Sequence, residues 1–190
     1  MGWCSLSKRY WFKGYTGRSG ELVMVKVLIL LGSASDLPIT EKGLSTLKEL
    51  NVGFSLRIAS AHRTPEAVHD IVTGFEKSGG KVVLCVAGMS AHLAGVVAAM
   101  TTLPVLAIPV AGQATAGFDS LLSMSQMPAG IPVGTMGFGK HGFTNAALLA
   151  TQILALSDSG LSSSFSEHRS AMSKQVMVSD QENRVDFAGN

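Results

Sequence analysis

Hydrophobic positions along this chain fall into short apolar runs, each closed by glycine or a small polar cluster. Lys26–Leu31 is an aliphatic run ending at Gly32 and predicts a buried strand. Helix formers over Leu37–Leu50, with Pro38 near the start, predict a helix. Val52, Phe54, Leu56 and Ile58 alternate with smaller or polar residues, which marks Val52–Ile58 as a strand. Thr64-Pro65-Glu66 reads as a helix start, with a capping hydroxyl and then a proline where no amide hydrogen is needed. That helix runs to about Lys77, where Gly79-Gly80 stop it. Val82–Ala87 and Val105–Val110 predict two more strands, with a small-residue apolar helix over Ala91–Met100 between them. A helix over Phe118–Gln126 and a short strand over Ile131–Met136 follow. Asn145–Leu156 is a strong helix, and a more polar one lies within Ser162–Val176.

Strands alternating with helices predict an α/β fold around a parallel sheet. Right-handed crossovers place every strand's C-terminal end on one edge, and ligands of such sheets bind outside those ends. Residues 1–23 precede the periodic pattern and read as a disordered leader, residues 24–178 as one α/β domain, and residues 179–190 as a frayed tail.

Composition narrows the class. The chain has 190 residues, which suits one domain; 46% are hydrophobic, only 15% are charged, and 21 are glycine, which suggests extensive burial, subunit interfaces included. Lys8, Arg9, Lys13 and Arg18 against Glu21 leave +3 in residues 1–23; the remaining 11 basic and 12 acidic residues leave −1. A body so near neutral carries no nucleic-acid footprint. No Asp, Glu, Lys or Arg occurs from Val82 to Phe118, a stretch long enough to cross a bilayer, but Pro104, Pro109 and glycines divide it into strand, helix and strand of a buried sheet. No membrane span is expected. Leu6 stands where a myristoylation signal needs Ser or Thr. Cys4 and Cys85 form no disulfide framework or metal cluster, which fits a reducing cytoplasm.

The polar motifs follow the strands. Gly32-Ser33-Ala34-Ser35-Asp36 comes after the first. Small residues admit a ligand close to the backbone, helix N-terminal amides favour anions, and Ser33 and Ser35 can donate to phosphate while Asp36 accepts from ribose hydroxyls. The plain alternative is a loop with Asp36 as a helix cap. Ser60-Ala61-His62-Arg63-Thr64-Pro65 comes after the second strand and joins a titratable imidazole, a planar cationic fork and a helix start. Gly88-Met89-Ser90-Ala91-His92-Leu93 comes after the third, where His92 is either a pocket residue or a satisfied core histidine. Gly137–Gly142 reads as a mobile or closely packed loop whose Lys140 could meet an anion. His69 and His168 belong to exposed helix faces. Three motifs after three successive parallel strands describe a phosphate-binding pocket with one or two imidazoles. Neither a Walker loop nor a dinucleotide fingerprint occurs, and no metal-ligand spacing.

These motifs resemble the purE-type mutases and carboxylases over about residues 25–158. Gly32-Ser-Ala-Ser-Asp36 is similar to the family's Gly-Ser-x-Ser-Asp loop, and Ser60-Ala-His-Arg-Thr-Pro65 to its signature. Ser125–Gly134, Gly139-Lys140 and Asn145-Ala-Ala-Leu-Leu-Ala150 also match. The resemblance implies a flavodoxin-like three-layer αβα sandwich, assembled as a homo-oligomer, commonly an octamer, with sites where subunits meet. It implies transfer of a carboxyl group from the exocyclic nitrogen to carbon 4 of a phosphorylated aminoimidazole nucleotide, without metal or cofactor. It implies His62 as the proton-transfer group and His92 as a catalytic-site residue lining the pocket, with Ser33, Ser35, Asp36, Ser60, Ala61, Arg63, Gly88, Ser90, Ala91 and Leu93 around the substrate. The family's Gly-Gly-Ala-Ala-His-Leu-Pro-Gly is replaced by Gly88-Met89-Ser90-Ala91-His92-Leu93-Ala94-Gly95, which changes the expected pocket floor at Met89, Ser90 and Ala94. The nearest alternative is a carboxylase that uses free carbon dioxide; a more distant one is a non-catalytic flavodoxin-like nucleotide-binding module.

Overall fold

The computed structural model describes residues 15–16 and 22–187. β1 (Tyr15–Thr16) and β2 (Leu22–Val23) form a two-stranded antiparallel ribbon. The expected disordered leader over residues 1–23 otherwise lies outside the described residues. The elements then run β3 (Val25–Leu31), α1 (Glu41–Glu49), β4 (Gly53–Ile58), α2 (Pro65–Lys77), β5 (Val82–Gly88), α3 (Leu93–Ala98), β6 (Val105–Val110), α4 (Phe118–Ser125), β7 (Gly134–Thr135), α5 (Gly139–Ala155) and α6 (Ser159–Asn183).

β3 to β7 form one parallel sheet in the order β4-β3-β5-β6-β7. This is the flavodoxin-like doubly wound order, with its switch point between β3 and β5. Alternation along each strand feeds two cores. Leu28, Leu30, Val83, Cys85 and Ala107 join Val68, Val72 and Phe75 of α2, Leu93, Ala94 and Val97 of α3, and Met124 of α4. Val27, Ile29, Leu31, Leu84, Val86 and Ile108 join Leu47 of α1 and Phe143, Ala146, Ala147 and Ala150 of α5. Both faces are covered, so β3, β5 and β6 read as continuous apolar runs rather than alternating ones. Phe143 is fully buried, and truncating such a ring to alanine costs about 3–5 kcal/mol.

Several boundaries differ from the expectation for physical reasons. Residues Ala34–Ile39 form a 3-10 turn, and α1 starts only at Glu41. Pro38 removes an amide hydrogen there, and the Thr40 amide donates to Leu37 O in the tighter pattern. β7 keeps only two residues of the expected strand, because Pro132 cannot donate to a ladder. α5 begins at Gly139, so the expected loop over Gly137–Gly142 is largely its first turn. Gly142 lies against the Gly137 carbonyl, where a Cβ has no room. α6 extends from Ser159 to Asn183, well beyond Ser162–Val176. Leu161 and Phe165 pack on the α5 face, and no residue of α6 is buried. Its later turns expose Met172, Val176, Met177 and Val178.

Among the described residues, no helix is long and apolar enough to cross a membrane. The uncharged stretch from Val82 is β5, α3 and β6, followed by the loop that leads to α4.

Candidate active site

The strand register brings three motifs together. Leu31 pairs with Ile58 on one side and with Val86 on the other, so β3, β4 and β5 end nearly level. The Ala59 amide donates to Leu31 O at 3.0 Å, and the Gly32 amide donates to Val86 O at 2.9 Å. These bonds carry the pairing one residue past each strand and fix where each loop departs. Above them lies an open cleft of about 590 Å³.

Ser33, Ser35 and Asp36 enter this cleft from the β3 loop, Ser60 to Arg63 from the β4 loop, and Gly88, Ser90, His92 and Leu93 from the β5 end. Ala91 does not line it; it is fully buried in the core shared with α2 and α3. The expected floor at Met89, Ser90 and Ala94 is corrected in the same way. Ala94 is buried inside the protein, Ser90 lines the wall, and Met89 stands exposed at the rim. Lys140 sits exposed in the first turn of α5 and does not line the cleft. Of the other histidines, His69 stands exposed on α2 beside Asp70, and His168 is half-buried on α6.

The two cleft histidines meet. His62 Nε2 lies 2.9 Å from His92 Nδ1, with the rings edge to face at 87° and centroids 5.0 Å apart. A hydrogen bond at that distance needs an N–H on one ring and a lone pair on the other. One ring therefore donates to the other, the tautomer setting which, and this leaves one further nitrogen on each ring. This contact between residues thirty apart has no signal in the sequence.

Hydrogen bonds within the β4 loop set the position of His62. Thr64, expected to cap α2, caps nothing; its hydroxyl accepts from the Ser60 amide at 2.9 Å and donates to the Ser60 carbonyl at 3.2 Å. The Ser60 hydroxyl accepts from the Arg63 amide at 3.2 Å. Those bonds close the loop around His62. Arg63 crosses to the neighbouring strand end, where Nη2 donates to Gly32 O at 3.3 Å, and it lines the cleft as a planar cationic fork.

Ser33 caps the 3-10 turn by accepting from the Ser35 amide, and the Ser35 hydroxyl lies 2.8 Å from Ser33 Oγ and 3.3 Å from Asp36 Oδ1. Ser33, not Asp36, is thus the cap, and the Asp36 carboxylate instead accepts from the Ser35 hydroxyl. Asp36 is only 8% exposed. Burial pushes its carboxyl up from the ordinary value, against hydrogen bonds from the Ser35 hydroxyl and the Ser33 backbone that pull it down. Burying an acid at a cleft wall costs stability, a pattern typical of functional positions.

The sequence reading missed Val110, Ala111 and Gly112, which close the cleft from the end of β6. Their position after a parallel strand was the available signal, but none carries a polar side chain. Gly117, with φ +87, lets the following loop turn into α4 where a Cβ would strike Phe138 and Ala111. Met89 also has a left-handed backbone, φ +58, although it is not glycine. Such a conformation costs on the order of 1–3 kcal/mol. Among the described residues, no group of three or more His, Cys, Asp or Glu side chains could hold a metal ion. Cys85 is a free thiol in the core, and burial pushes its pKa up, so it stays protonated and inert.

Comparison with known proteins gives a consistent result. A family profile described as AIR carboxylase matches residues 26–175. A protein of Methanocaldococcus jannaschii named N5-carboxyaminoimidazole ribonucleotide mutase is 48% identical over 155 residues, 82% of this chain and 95% of that protein. A Brucella melitensis protein of the same name is 47% identical over 152 residues, 80% of this chain and 94% of that one. The crystal structure of PurE from Treponema denticola superposes with a TM-score of 0.76 at 31% identity, covering 84% of this chain and 98% of that one.

Proposed function

The chain belongs to the AIR carboxylase family, and from that premise we propose that it is an isomerase of purine biosynthesis, an N5-carboxyaminoimidazole ribonucleotide mutase. The observation that carries the reading at this chain's own site is the His62–His92 pair in a cleft with Arg63 and Asp36. The reaction needs one proton delivered to nitrogen and one removed from carbon, and a paired imidazole can do both near neutral pH.

The chemistry balances without an external reagent. The bond between the exocyclic nitrogen and the carboxyl carbon breaks, carbon dioxide leaves, and the nitrogen takes a proton from His62. Ring carbon 4 then attacks the carbon dioxide, and its hydrogen passes to His62 as a proton. Substrate and product are isomers, and His62 ends as it began. His92 is the hydrogen-bond partner that orients the His62 ring. No metal or organic cofactor takes part.

Arg63 and the amides at the start of α2 suit the phosphate. Ser33, Ser35 and Ser60 can donate to phosphate or sugar oxygens, and Asp36 accepts from ribose hydroxyls. Ala61, Gly88, Ser90 and Leu93 shape the walls around the ring. The protein works in the cytoplasm as a homo-oligomer, an octamer on the family's pattern. The exposed apolar residues along the second half of α6 support assembly, since a monomer would leave them in water.

The test is an assay of the purified protein with the carboxyamino nucleotide alone, and separately with aminoimidazole ribonucleotide plus bicarbonate. Turnover of the first substrate without added bicarbonate is expected. Turnover only in the second mixture would make the enzyme a carboxylase, and turnover in neither would return it to a binding module.

A further inference from the structure

Met89 is a large apolar cleft residue that sits exposed in a left-handed backbone conformation. Its backbone occupies the region glycine adopts without strain, and the resembled family pattern carries glycine at this position. Its side chain is large and apolar, yet 73% exposed at the rim. The single chain thus bears both a left-handed backbone and exposed apolar surface at one point. Strained residues persist where the surroundings hold them, and they cluster at sites that act on ligands.

The surroundings here are firm. Gly88 lies close against Val110 O, and the His92 amide donates to Ser90 O at 2.8 Å. The same turn that sets His92 against His62 therefore fixes where the Met89 side chain starts. From that fixed point, an unbranched thioether with several rotatable bonds can settle on a planar ring. The same cleft is lined by the polar side chains of Ser33, Ser35, Asp36 and Arg63. A nucleotide held by those groups at its phosphate and sugar leaves its base for the rest of the cleft, which His62, His92 and Met89 also line.

Resting on the mutase reading, we infer that Met89 is a specificity-determining residue of this enzyme: its side chain covers the substrate's aminoimidazole ring and closes the histidine end of the cleft to water. The cover has a chemical purpose. Carbon dioxide released from nitrogen must reach carbon 4 before it escapes, and an apolar wall holds it without binding it.

The experiment compares Met89→Gly, Met89→Ala and Met89→Leu with the unmodified enzyme. KM and kcat for the carboxyamino nucleotide are measured, together with retention of a 13C-labelled carboxyl group during turnover in unlabelled bicarbonate. Loss of the thioether's ring contact should raise KM about threefold to tenfold in the Gly and Ala variants, and both should lose label to the solvent. The Leu variant should stay within about twofold of the parent, since it keeps apolar bulk. Gly and Ala variants with parental KM and full label retention would overturn the inference. So would variants that fail to assemble in solution, because Met89 would then belong to a subunit contact. A parent enzyme without turnover overturns the mutase reading and this inference together, whereas an active parent with unaffected variants overturns the inference alone.

Discussion

The sheet has a cleft at each end, and the two are nearly the same size. One, above the strand C-termini, has about 590 Å³; the other, below the strand N-termini, has about 620 Å³. The lower one is lined by Lys26, Lys81, Asn51, Asp158 and the ends of α1 and α5. Volume does not distinguish them; chain direction does. Every strand runs the same way, so the helices between strands start at the upper end and finish at the lower one. Amides with partial positive charge gather above, and carbonyls with partial negative charge gather below. The lower end accordingly carries lysines, and Lys26 Nζ donates to Gly79 O at 3.4 Å. The upper end carries Arg63 and the serines, and it alone brings two titratable rings into contact. An anionic nucleotide has one suitable end.

The comparison can be broken most severely at His62. His62→Asn keeps some hydrogen bonding but cannot carry a proton, so turnover should fall by at least about 10²–10⁴-fold while nucleotide affinity survives. His92→Asn should lose less, because a neutral hydrogen bond is worth only about 1 kcal/mol. Steady-state kinetics and ligand titration on both variants, with a check of assembly, decide this. A dead His92→Asn beside a healthy His62→Asn would reverse the two roles.

The next effect in size is at Arg63. Its removal takes away a charge-assisted contact of roughly 1.5–3 kcal/mol, so Arg63→Ala should weaken substrate binding by about ten- to a hundredfold. Arg63→Lys should recover only part, since an ammonium has no fork. Unchanged affinity in the alanine variant would move the phosphate elsewhere.

Asp36 sharpens the contrast through stability. Its folded pKa is raised above the ordinary 3.8, chiefly by burial. The fold therefore favours the protonated acid, and stability is lost as pH rises from about that value through the higher folded value. Asp36→Asn removes the ionisation. It should melt higher than the parent at neutral pH, show little difference at pH 3, and bind the nucleotide less well. Equal melting temperatures at both pH values would mean that the carboxylate is not strained by burial.

The smallest effect belongs to the lower cleft. Lys81→Ala should leave kcat and KM within about twofold, as for an ordinary surface change. A large loss there would give the second cleft a function and end the contrast.

The sequence made some of this legible and hid the rest for definite reasons. β3, β5 and β6 were plain because both their faces are buried, and the three polar motifs followed from strand direction. The α5 start was hidden because Gly137–Gly142 looks like a loop, while Gly142 is required by a close backbone approach inside a helix. The length of α6 was hidden because its serines and polar face give little apolar period. Ala111 and Gly112 were missed because they offer only backbone. The histidine contact could not be read at all, since it depends on the level ending of β4 and β5 on either side of β3. Met89 was visible as a departure, but its strained backbone and place at the rim were not.

The sheet order also sets a timetable for synthesis. β3, an inner strand of the sheet between β4 and β5, leaves the ribosome with both faces greasy and no neighbour. The α5 helix that seals one of those faces emerges roughly 120 residues later. At about 5–20 residues per second, Val27, Ile29 and Leu31 wait roughly 6–24 seconds for their final cover. A ribosome stalled just before α5 would hold a chain with its catalytic loops already made and half its core open, a natural client for a chaperone.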